Sequence, residues 1–202
     1  YYGLIFKQFF ILSTIIIARF NENIDWLLKY KNFNVVIYNK GKHLDNKGIG
    51  KIINLPNVGR ESHTWLYHIV SNYENLDKVN IFLQGRIDDL GVLAYKDVNE
   101  YLNECMIKGF SVKRFGILGP FHWSKYLGLE NNSKYRTNIF NKSLKEPEIS
   151  FKELAQTFID KIPLFTITSY GGCFAVSKEL IKQHKMSLYK ELLDIVSAND
   201  NP

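Results

Sequence analysis

The sequence predicts an α/β protein with a mainly parallel sheet flanked by helices. The prediction rests on three short, continuous runs of apolar and mostly β-branched residues, at 13–18, 34–38 and 79–83. Such runs are too short for helices and lack the alternation of half-exposed strands, so they indicate strands buried on both faces. In the first half of the chain they alternate with helical segments, which favours parallel pairing through right-handed crossovers.

The connections between these strands have their own signatures. Asn21 is a suitable N-cap for a short helix over 22–30, and the stretch 39–56, rich in Gly, Lys and Asn, predicts one long loop. A second helix is predicted over 60–73, because apolar residues recur there at helical spacing.

The second half of the chain is predicted to contain shorter elements. Helices begin after Asp97 and Ser150, each with a glutamate three positions later as in a capping box. Strands are predicted at 115–118, 164–168 and 173–176, and Ser177 opens a last helical part that breaks near 184–186. With no linker or repeat, we expect one domain over 1–202, in which 1–12 form a lead-in segment. Because the chain does not begin with Met, it can be part of a longer protein.

Composition narrows the classes of partner. The 202 residues are 46% hydrophobic and 23% charged, which is typical of a soluble globular protein. The net charge is +6, but the lysines are scattered and nucleic-acid-binding motifs are missing, so we expect no nucleic acid partner. The apolar N-terminal run is shorter than the roughly 20 residues that a helix needs to cross a bilayer, and it contains Lys7. We therefore expect no stable membrane span. The compartment stays open, with a cytoplasmic location favoured, and Cys105 and Cys173 are expected to be reduced core thiols.

Residues 84–89, with the sequence QGRIDD, follow the third predicted strand directly. Ligands of α/β proteins bind at the carboxyl ends of such strands. Asp88 and Asp89 are hard oxygen ligands suited to Mg²⁺ or Mn²⁺, and Arg86 can bind a phosphate. The alternative is an ordinary turn, because Gly and Asp are common loop residues.

A second candidate for phosphate binding is the start of the helix at 60–73. Its free backbone N–H groups and Arg60 suit a phosphate, although Glu61 is equally explained by the helix dipole. The segment matches neither of the common glycine-rich nucleotide motifs. A Gly-x-Ser-x-Gly motif is also missing, and neither cysteine has a histidine close in sequence, which leaves nucleophilic hydrolase chemistry with little support.

Several long segments resemble the signature blocks of a family of uncharacterised proteins, known as a domain of unknown function, with members in fungi, bacteria and large viruses. They are IIIARFNENIDWL, VVIYNKG, LPNVGRESHTWLYHIVSNYENL, VNIFLQG and YGGCFAVSKELI. The resemblance runs in the same order over nearly the whole chain from Ser13 onward.

The chain also distantly resembles nucleotide-sugar glycosyltransferases of the GT-A type. The Asn-Glu pair after the first strand and the segment 171–177, GGCFAVS, are similar to elements of that family. The Asp-x-Asp metal motif of those enzymes is replaced here by Gln84-Gly85-Arg86. Either Asp88 and Asp89 supply the metal contact, or Arg86 stands in for the cation, or catalysis has been lost.

This resemblance implies a single GT-A-like domain that transfers a sugar from a nucleotide-sugar donor to an unknown acceptor: a glycan, a protein or a small molecule. The donor would be bound by Arg19, Asn21, Asn39, Arg60, Gln84 and Arg86. The acceptor would be bound by His122, Trp123, Tyr170, Gly171 and Gly172. Asp88 and Asp89 would bind Mn²⁺ or Mg²⁺, and Glu179 is the candidate catalytic base. The alternative is a non-catalytic carbohydrate- or nucleotide-binding domain on the same fold, which the loss of Asp-x-Asp favours.

Overall fold

The structure is a computed structural model that describes residues 13–87, 98–109, 111–112, 115–118, 151–161, 163, 165–169 and 172–198. Contacts between Cα atoms divide the chain into two compact units. Of the described residues, the sheet unit contains 13–87, 98–109, 111–112, 169 and 172–198, and the small unit contains 115–118, 151–161, 163 and 165–168. The single domain expected over 1–202 stays a prediction.

Strands and helices alternate along the described parts of the chain. The strands are β1 (Ser13–Arg19), β2 (Asn34–Asn39), β3 (Lys51–Asn54), β4 (Val79–Gln84), β5 (Ser111–Val112), β6 (Phe115–Leu118), β7 (Thr166–Ser169) and β8 (Phe174–Ser177). The α-helices are α1 (Arg60–Asn72), α2 (Val98–Lys108), α3 (Phe151–Phe158), α4 (Lys178–Ile181) and α5 (Met186–Ser197). Two 3₁₀ helices span Asp25–Tyr30 and Tyr73–Asn75.

The sheet unit is built on a six-stranded sheet in the order β3-β2-β1-β4-β8-β5. Strands β3, β2, β1 and β4 are parallel, whereas β8 is antiparallel to both β4 and β5. The predicted fold class, α/β with a mainly parallel sheet flanked by helices, is therefore confirmed. From β1 the chain proceeds outward through β2 and β3, and it then returns to place β4 on the other side of β1. This reversal makes the carboxyl ends of β1 and β4 the topological switch point, where ligands of open α/β sheets bind.

The apolar runs form the centre of two core layers. Ile15, Ile16 and Ile17 are fully buried, and because side chains alternate along a strand they serve both faces of the sheet. Ile15 and Ile17 belong to one cluster with α2, whereas Ile16 belongs to the other cluster with α1 and α4. Continuous rather than alternating hydrophobicity is explained by this burial on both sides.

The region predicted as one long loop, 39–56, contains strand β3. Among the described strands, this strand pairs only with β2 and forms the edge of the sheet. It has four residues, begins with an exposed lysine and ends with an exposed asparagine, as suits an edge strand. The helix expected over 22–30 is a 3₁₀ helix over Asp25–Tyr30, and Asn21 does not cap it. Instead, the Asn21 Oδ1 accepts a hydrogen bond from the Lys42 N–H at 2.8 Å.

The small unit contains helix α3 and a two-stranded sheet formed by β6 and β7. The strand predicted at 115–118 is confirmed, and the strand predicted at 164–168 begins and ends slightly later. Among the described residues, no helix is both long and apolar enough to span a membrane.

A buried polar cluster lies between α1 and the sheet. The Tyr38 hydroxyl is 2.9 Å from the His68 Nδ1, and the Asn72 amide donates to the His68 carbonyl at 2.8 Å. Burial lowers the pKa of His68 to about 4, so the imidazole is neutral at physiological pH.

This burial predicts an acid-sensitive fold. In the unfolded chain the pKa of His68 returns to about 6.5, so between pH 6.5 and 4 the unfolded state binds a proton that the folded state does not. We expect the free energy of unfolding to decrease as the pH falls from 6.5 to 4. The contribution of His68 to this decrease is up to about 1.4 kcal/mol per pH unit. Urea denaturation at pH 7.0, 5.5 and 4.5 measures it. His68→Gln should reduce the slope, whereas His43→Gln, at an exposed site, should not; an equal slope in both variants contradicts the assignment.

Candidate functional site

Two adjoining cavities open at the carboxyl ends of the parallel strands. The first, of about 390 Å³, is lined by Ala18, Arg19, Phe20, Glu22, Lys40, Asn57, Arg60 and Glu61. The second, of about 420 Å³, is lined by Phe20, Asn21, Glu22, Asn23 and Arg86. Phe20 and Glu22 line both cavities, and we call the pair the switch-point cleft. It lies within the sheet unit, at the edge of the sheet that its topology marks for ligand binding.

Arg19 ends β1 and forms the floor of the first cavity. Its side chain is almost fully buried, with 8% of the residue exposed. The Nε donates to the Glu22 carbonyl at 3.0 Å, and the Nη1 donates to the Asn39 Oδ1 at 2.5 Å and to the carbonyls of Phe20 and Lys42 at 3.3 and 3.2 Å. Within the described part of the chain, all of these partners are neutral oxygens, and no carboxylate pairs with the guanidinium. The charge of Arg19 is therefore solvated by dipoles and not neutralised.

Asn39, expected to bind the donor, instead supports the floor of the cleft. It is 2% exposed and does not line either cavity. Its Oδ1 accepts from Arg19, and its Nδ2 donates to the Lys42 carbonyl and the Asn54 Oδ1, both at 3.1 Å. Its hydrogen-bonding groups are used inside the protein, where they support the residues that line the cleft, and its expected role in donor binding stays a prediction.

The loop after β1 fits closely against two glycines. A Cβ on Gly41 would lie 1.6 Å from the Phe20 carbonyl oxygen, and one on Gly85 would lie 2.9 Å from the Glu22 Oε2. The Glu22 carboxylate also accepts from the Phe20 N–H at 2.7 Å. The backbone of Phe20 is thus held from several sides, whereas its side chain is 47% exposed at the border of the two cavities.

The opposite wall of the first cavity is the turn that leads into α1. Gly59 and Arg60 have φ values of +56° and +46°, and Arg60 is the one non-glycine residue with positive φ in the described part of the chain. A left-handed conformation costs a non-glycine residue roughly 1–2 kcal/mol. The Lys40 ammonium bridges this turn by donating to the carbonyls of Val58 and Arg60 at 2.6 and 2.5 Å.

Gln84 ends β4 and connects the cleft to β8. Its Nε2 donates to the Glu61 carboxylate at 2.7 Å, and it lies 3.5 Å from where a Cβ on Gly172 would be. Gly172, expected on the acceptor side, is thereby placed next to a predicted donor residue. Cys173 is buried beside them, and burial raises the pKa of its thiol to about 11, which makes it an unreactive core thiol as expected.

The charges of the first cavity are mixed. It is lined by three basic and two acidic side chains. Burial lowers the pKa of Lys40 to about 8, with the Glu61 carboxylate opposing the shift, so Lys40 is mainly cationic at neutral pH. Burial and the neighbouring Lys40 charge lower the pKa of His63 to about 4, which leaves the imidazole neutral.

The remaining donor predictions fall at the cleft. Arg60 lines the first cavity, and Asn21 and Arg86 line the second. Arg60 and Arg86 are both exposed residues.

Glu179 does not belong to this site. Strand β8 is antiparallel to β4, and Ser177 pairs with Val79, the first residue of β4. Glu179 therefore lies beyond the amino end of β4, at the opposite edge of the sheet from Gln84. It is exposed, and its pKa is lowered by local hydrogen bonds, including one with Ser177. It is withdrawn as the candidate base.

Six predicted site residues lie outside the described residues: Asp88, Asp89, His122, Trp123, Tyr170 and Gly171. Their roles stay predictions. Among the residues that the structure does describe, no group of three or more His, Cys, Asp or Glu is arranged to hold a metal ion.

The structure adds cleft residues to which the sequence analysis assigns no ligand role: Phe20, Glu22, Asn23, Lys40, Asn57 and Glu61. The sequence could have identified Lys40, because it directly follows the second strand and the ends of parallel strands are where ligands bind. Glu61 follows Arg60 at the start of α1, but the helix dipole alone explains an acidic residue there. An exposed phenylalanine has no sequence signal, since exposure is decided by the tertiary structure.

Comparison with known proteins gives a family but no activity. The DUF3431 family, described as "Protein of unknown function", matches residues 15–202. The chain belongs to the DUF3431 family. This confirms the predicted membership of a family of unknown function. No curated protein matches the DUF3431 chain.

Among solved structures, CMP:2-keto-3-deoxy-manno-octonic acid synthetase complexed with CTP is similar to the DUF3431 chain. The similarity covers 93% of this chain and 87% of that chain, with 11% sequence identity and a TM-score of 0.36. Because the identity and the TM-score are this low, the similarity supports no conclusion about function, and the proposal below rests on the geometry of the cleft.

The close fit at Gly41 can be tested by stability. In Gly41→Ala the new methyl group would overlap the Phe20 carbonyl, which is backbone and accepts from Arg19. We expect a loss of more than about 3 kcal/mol in the free energy of unfolding, measured by urea denaturation.

The control is Gly48→Ala. No atom lies within 4 Å of a Cβ at Gly48, but its φ is +75°. The backbone conformation alone should cost this variant about 1–2 kcal/mol. Equal losses in the two variants would show that the Phe20 loop does not press on Gly41.

Proposed function

We propose that this DUF3431 protein binds a nucleotide-sugar in the switch-point cleft and transfers its sugar to an acceptor. The observation that carries the proposal is the buried Arg19 guanidinium, which lines the cleft and is paired only with neutral oxygens among the described residues. A buried cation without a counter-charge favours an anionic ligand, because the ligand restores the electrostatic balance lost on burial.

The cations around the first cavity suit a diphosphate. Arg19 and Lys40 lie in its wall, and Arg60 contributes an exposed guanidinium at the amino end of α1. Guanidinium groups bind phosphate oxygens in a bidentate manner, and the dipole of a helix favours negative charge at its amino end. The diphosphate of a nucleotide-sugar would occupy this cavity.

Other groups in the cleft suit the remaining parts of such a ligand. Carboxylates and amides bind sugar hydroxyl groups, and Glu22, Asn21 and Asn23 line the second cavity. The exposed phenyl ring of Phe20 offers an apolar surface for a nucleobase or a sugar ring at the border of the two cavities.

A divalent cation, Mn²⁺ or Mg²⁺, belongs to the proposal through Asp88 and Asp89. Its chemistry would be to neutralise the charge that develops on the leaving diphosphate. The carboxylates of the described cleft do not form a metal site by themselves: Glu61 accepts from Gln84, and Glu22 accepts from the Phe20 N–H. With Glu179 withdrawn, the acidic groups that line the cleft among the described residues are Glu22 and Glu61.

The second candidate is a non-catalytic nucleotide- or carbohydrate-binding protein using the same cleft. The observation that favours it is that both of these carboxylates are already engaged in internal hydrogen bonds. A turnover assay separates the two candidates, because both predict binding of the donor.

Donor binding is tested by a thermal-shift screen of UDP-, GDP- and CMP-sugars with and without Mn²⁺. A ligand present at 100 times its Kd stabilises the folded state by about 2.7 kcal/mol. We expect at least one donor to raise the Tm, and Asp88→Ala and Asp89→Ala to remove the effect of Mn²⁺. A screen without any shift contradicts the donor site, and metal dependence that survives both substitutions removes these aspartates from it.

The role of Arg60 is tested by Arg60→Met in a calorimetric titration with the donor that binds. Loss of a charged hydrogen bond, about 1.5–3 kcal/mol, should weaken binding roughly 10- to 100-fold. The control is Lys178→Met, which removes a cation at the opposite edge of the sheet, where the Lys178 N–H bonds to the Lys78 carbonyl. Equal affinities of Arg60→Met and the wild type would remove Arg60 from the site.

A further inference from the structure

Lys40 is the half-buried cation that connects the end of β2 to the turn before α1. Its ammonium donates to two carbonyl oxygens of that turn, those of Val58 at 2.6 Å and Arg60 at 2.5 Å. Two of its three N–H groups are therefore used inside the protein. A cation whose main task was to bind ligand directly would leave more of its donors facing the cleft.

Backbone hydrogen bonds lie on either side of the turn that Lys40 bridges. Helix α1 begins without a side-chain cap. The Val58 N–H bonds to the Pro56 carbonyl at 3.0 Å, and the His63 N–H bonds to the Gly59 carbonyl at 3.0 Å. Between these bonds lie the two consecutive residues with positive φ, Gly59 and Arg60. A non-glycine residue holds this conformation only where its surroundings enforce it.

The two residues of the turn that have positive φ differ in their surroundings. A Cβ on Gly59 would lie 2.6 Å from the Val196 carbonyl of α5, so this side of the turn is closed by the helix. Arg60 is exposed and lines the cleft. Its carbonyl accepts a hydrogen bond from the Lys40 ammonium, and this bond restrains the peptide unit that follows the left-handed residue.

We propose that Lys40 is a positioning residue: its ammonium holds the 58–60 turn in the left-handed conformation that places Arg60 in the cleft. The backbone part of the proposal stands without any ligand. The part that concerns affinity rests on the proposed function, because it requires that Arg60 bind the phosphates of the ligand.

Hydrogen exchange of the ligand-free protein tests the backbone part. Lys40→Met keeps the length of the aliphatic side chain and removes the donors, and we expect the amides of 58–63 to exchange at least tenfold faster than in the wild type. Lys40→Arg, which keeps the donors, should retain most of the protection. Lys51→Met, at an exposed lysine on the neighbouring strand β3, is the matched control and should not change the exchange of the turn.

Unchanged exchange at 58–63 in a folded Lys40→Met overturns the proposal. Folding is checked by the protection of the β1 amides in the same experiment. If Lys40→Met does not fold, Lys40→Gln takes its place, because its shorter neutral amide cannot bridge both carbonyls. Faster exchange confined to the turn supports the proposal, and wild-type exchange there overturns it.

A double-mutant cycle with Arg60 tests the affinity part, using UDP, GDP and CMP as probes. We expect Lys40→Met to weaken binding about tenfold in the wild-type background and less than twofold in the Arg60→Met background, because Lys40 acts through Arg60. Full additivity of the two losses would mean that Lys40 contacts the ligand directly, and it would overturn the positioning role. If the wild type binds none of the three probes, the proposed function fails, and the exchange experiment still decides the role of Lys40.

Discussion

The buried guanidinium of Arg19 holds together the carboxyl ends of the strands around the cleft. It donates to the carbonyls of Glu22 and Lys42, in the loops after β1 and β2, and to the side chain of Asn39. Asn39 in turn donates to Asn54 at the end of β3. Each hydrogen bond to a charged group contributes about 1.5–3 kcal/mol, so the conformations of these loops depend on the guanidinium. The shape of the cleft depends on the loops.

The same arrangement gives the cleft its chemistry. Because Arg19 is balanced by dipoles instead of a carboxylate in the described part of the chain, its charge still acts on the cavity that it lines. The Lys40 ammonium is likewise satisfied by two carbonyls, which belong to the strained turn before α1. The same side chains therefore hold the loops in place and supply the positive charge of the cleft. A substitution that removes the charge also alters the structure of the loops. Experiments on this site need stability controls for that reason.

The hydrophobic pattern of the sequence predicted where the buried strands lie. It did not predict the positions of residues that depend on the direction in which a strand runs. The buried runs located β1, β2 and β4, and reasoning from strand ends located Arg19 and Arg86. The sequence predicted that Asn39 lies at the end of a strand. Its burial beneath Arg19 could not be predicted, because it depends on how the loops pack. Glu179, the candidate base, lies away from the cleft because of the direction of the strand that precedes it. Since β8 is antiparallel, its first residues lie near the cleft and its last residues lie at the opposite edge.

The central claim, that an anionic nucleotide binds in the cavity that both Arg19 and Arg60 line, is tested most directly by a crystal structure of the protein with a bound nucleoside diphosphate. We expect phosphate oxygens within hydrogen-bond distance of Arg60 in the first cavity and a ring of the ligand against Phe20. A nucleotide bound elsewhere, with the switch-point cleft empty at saturating ligand, would contradict it.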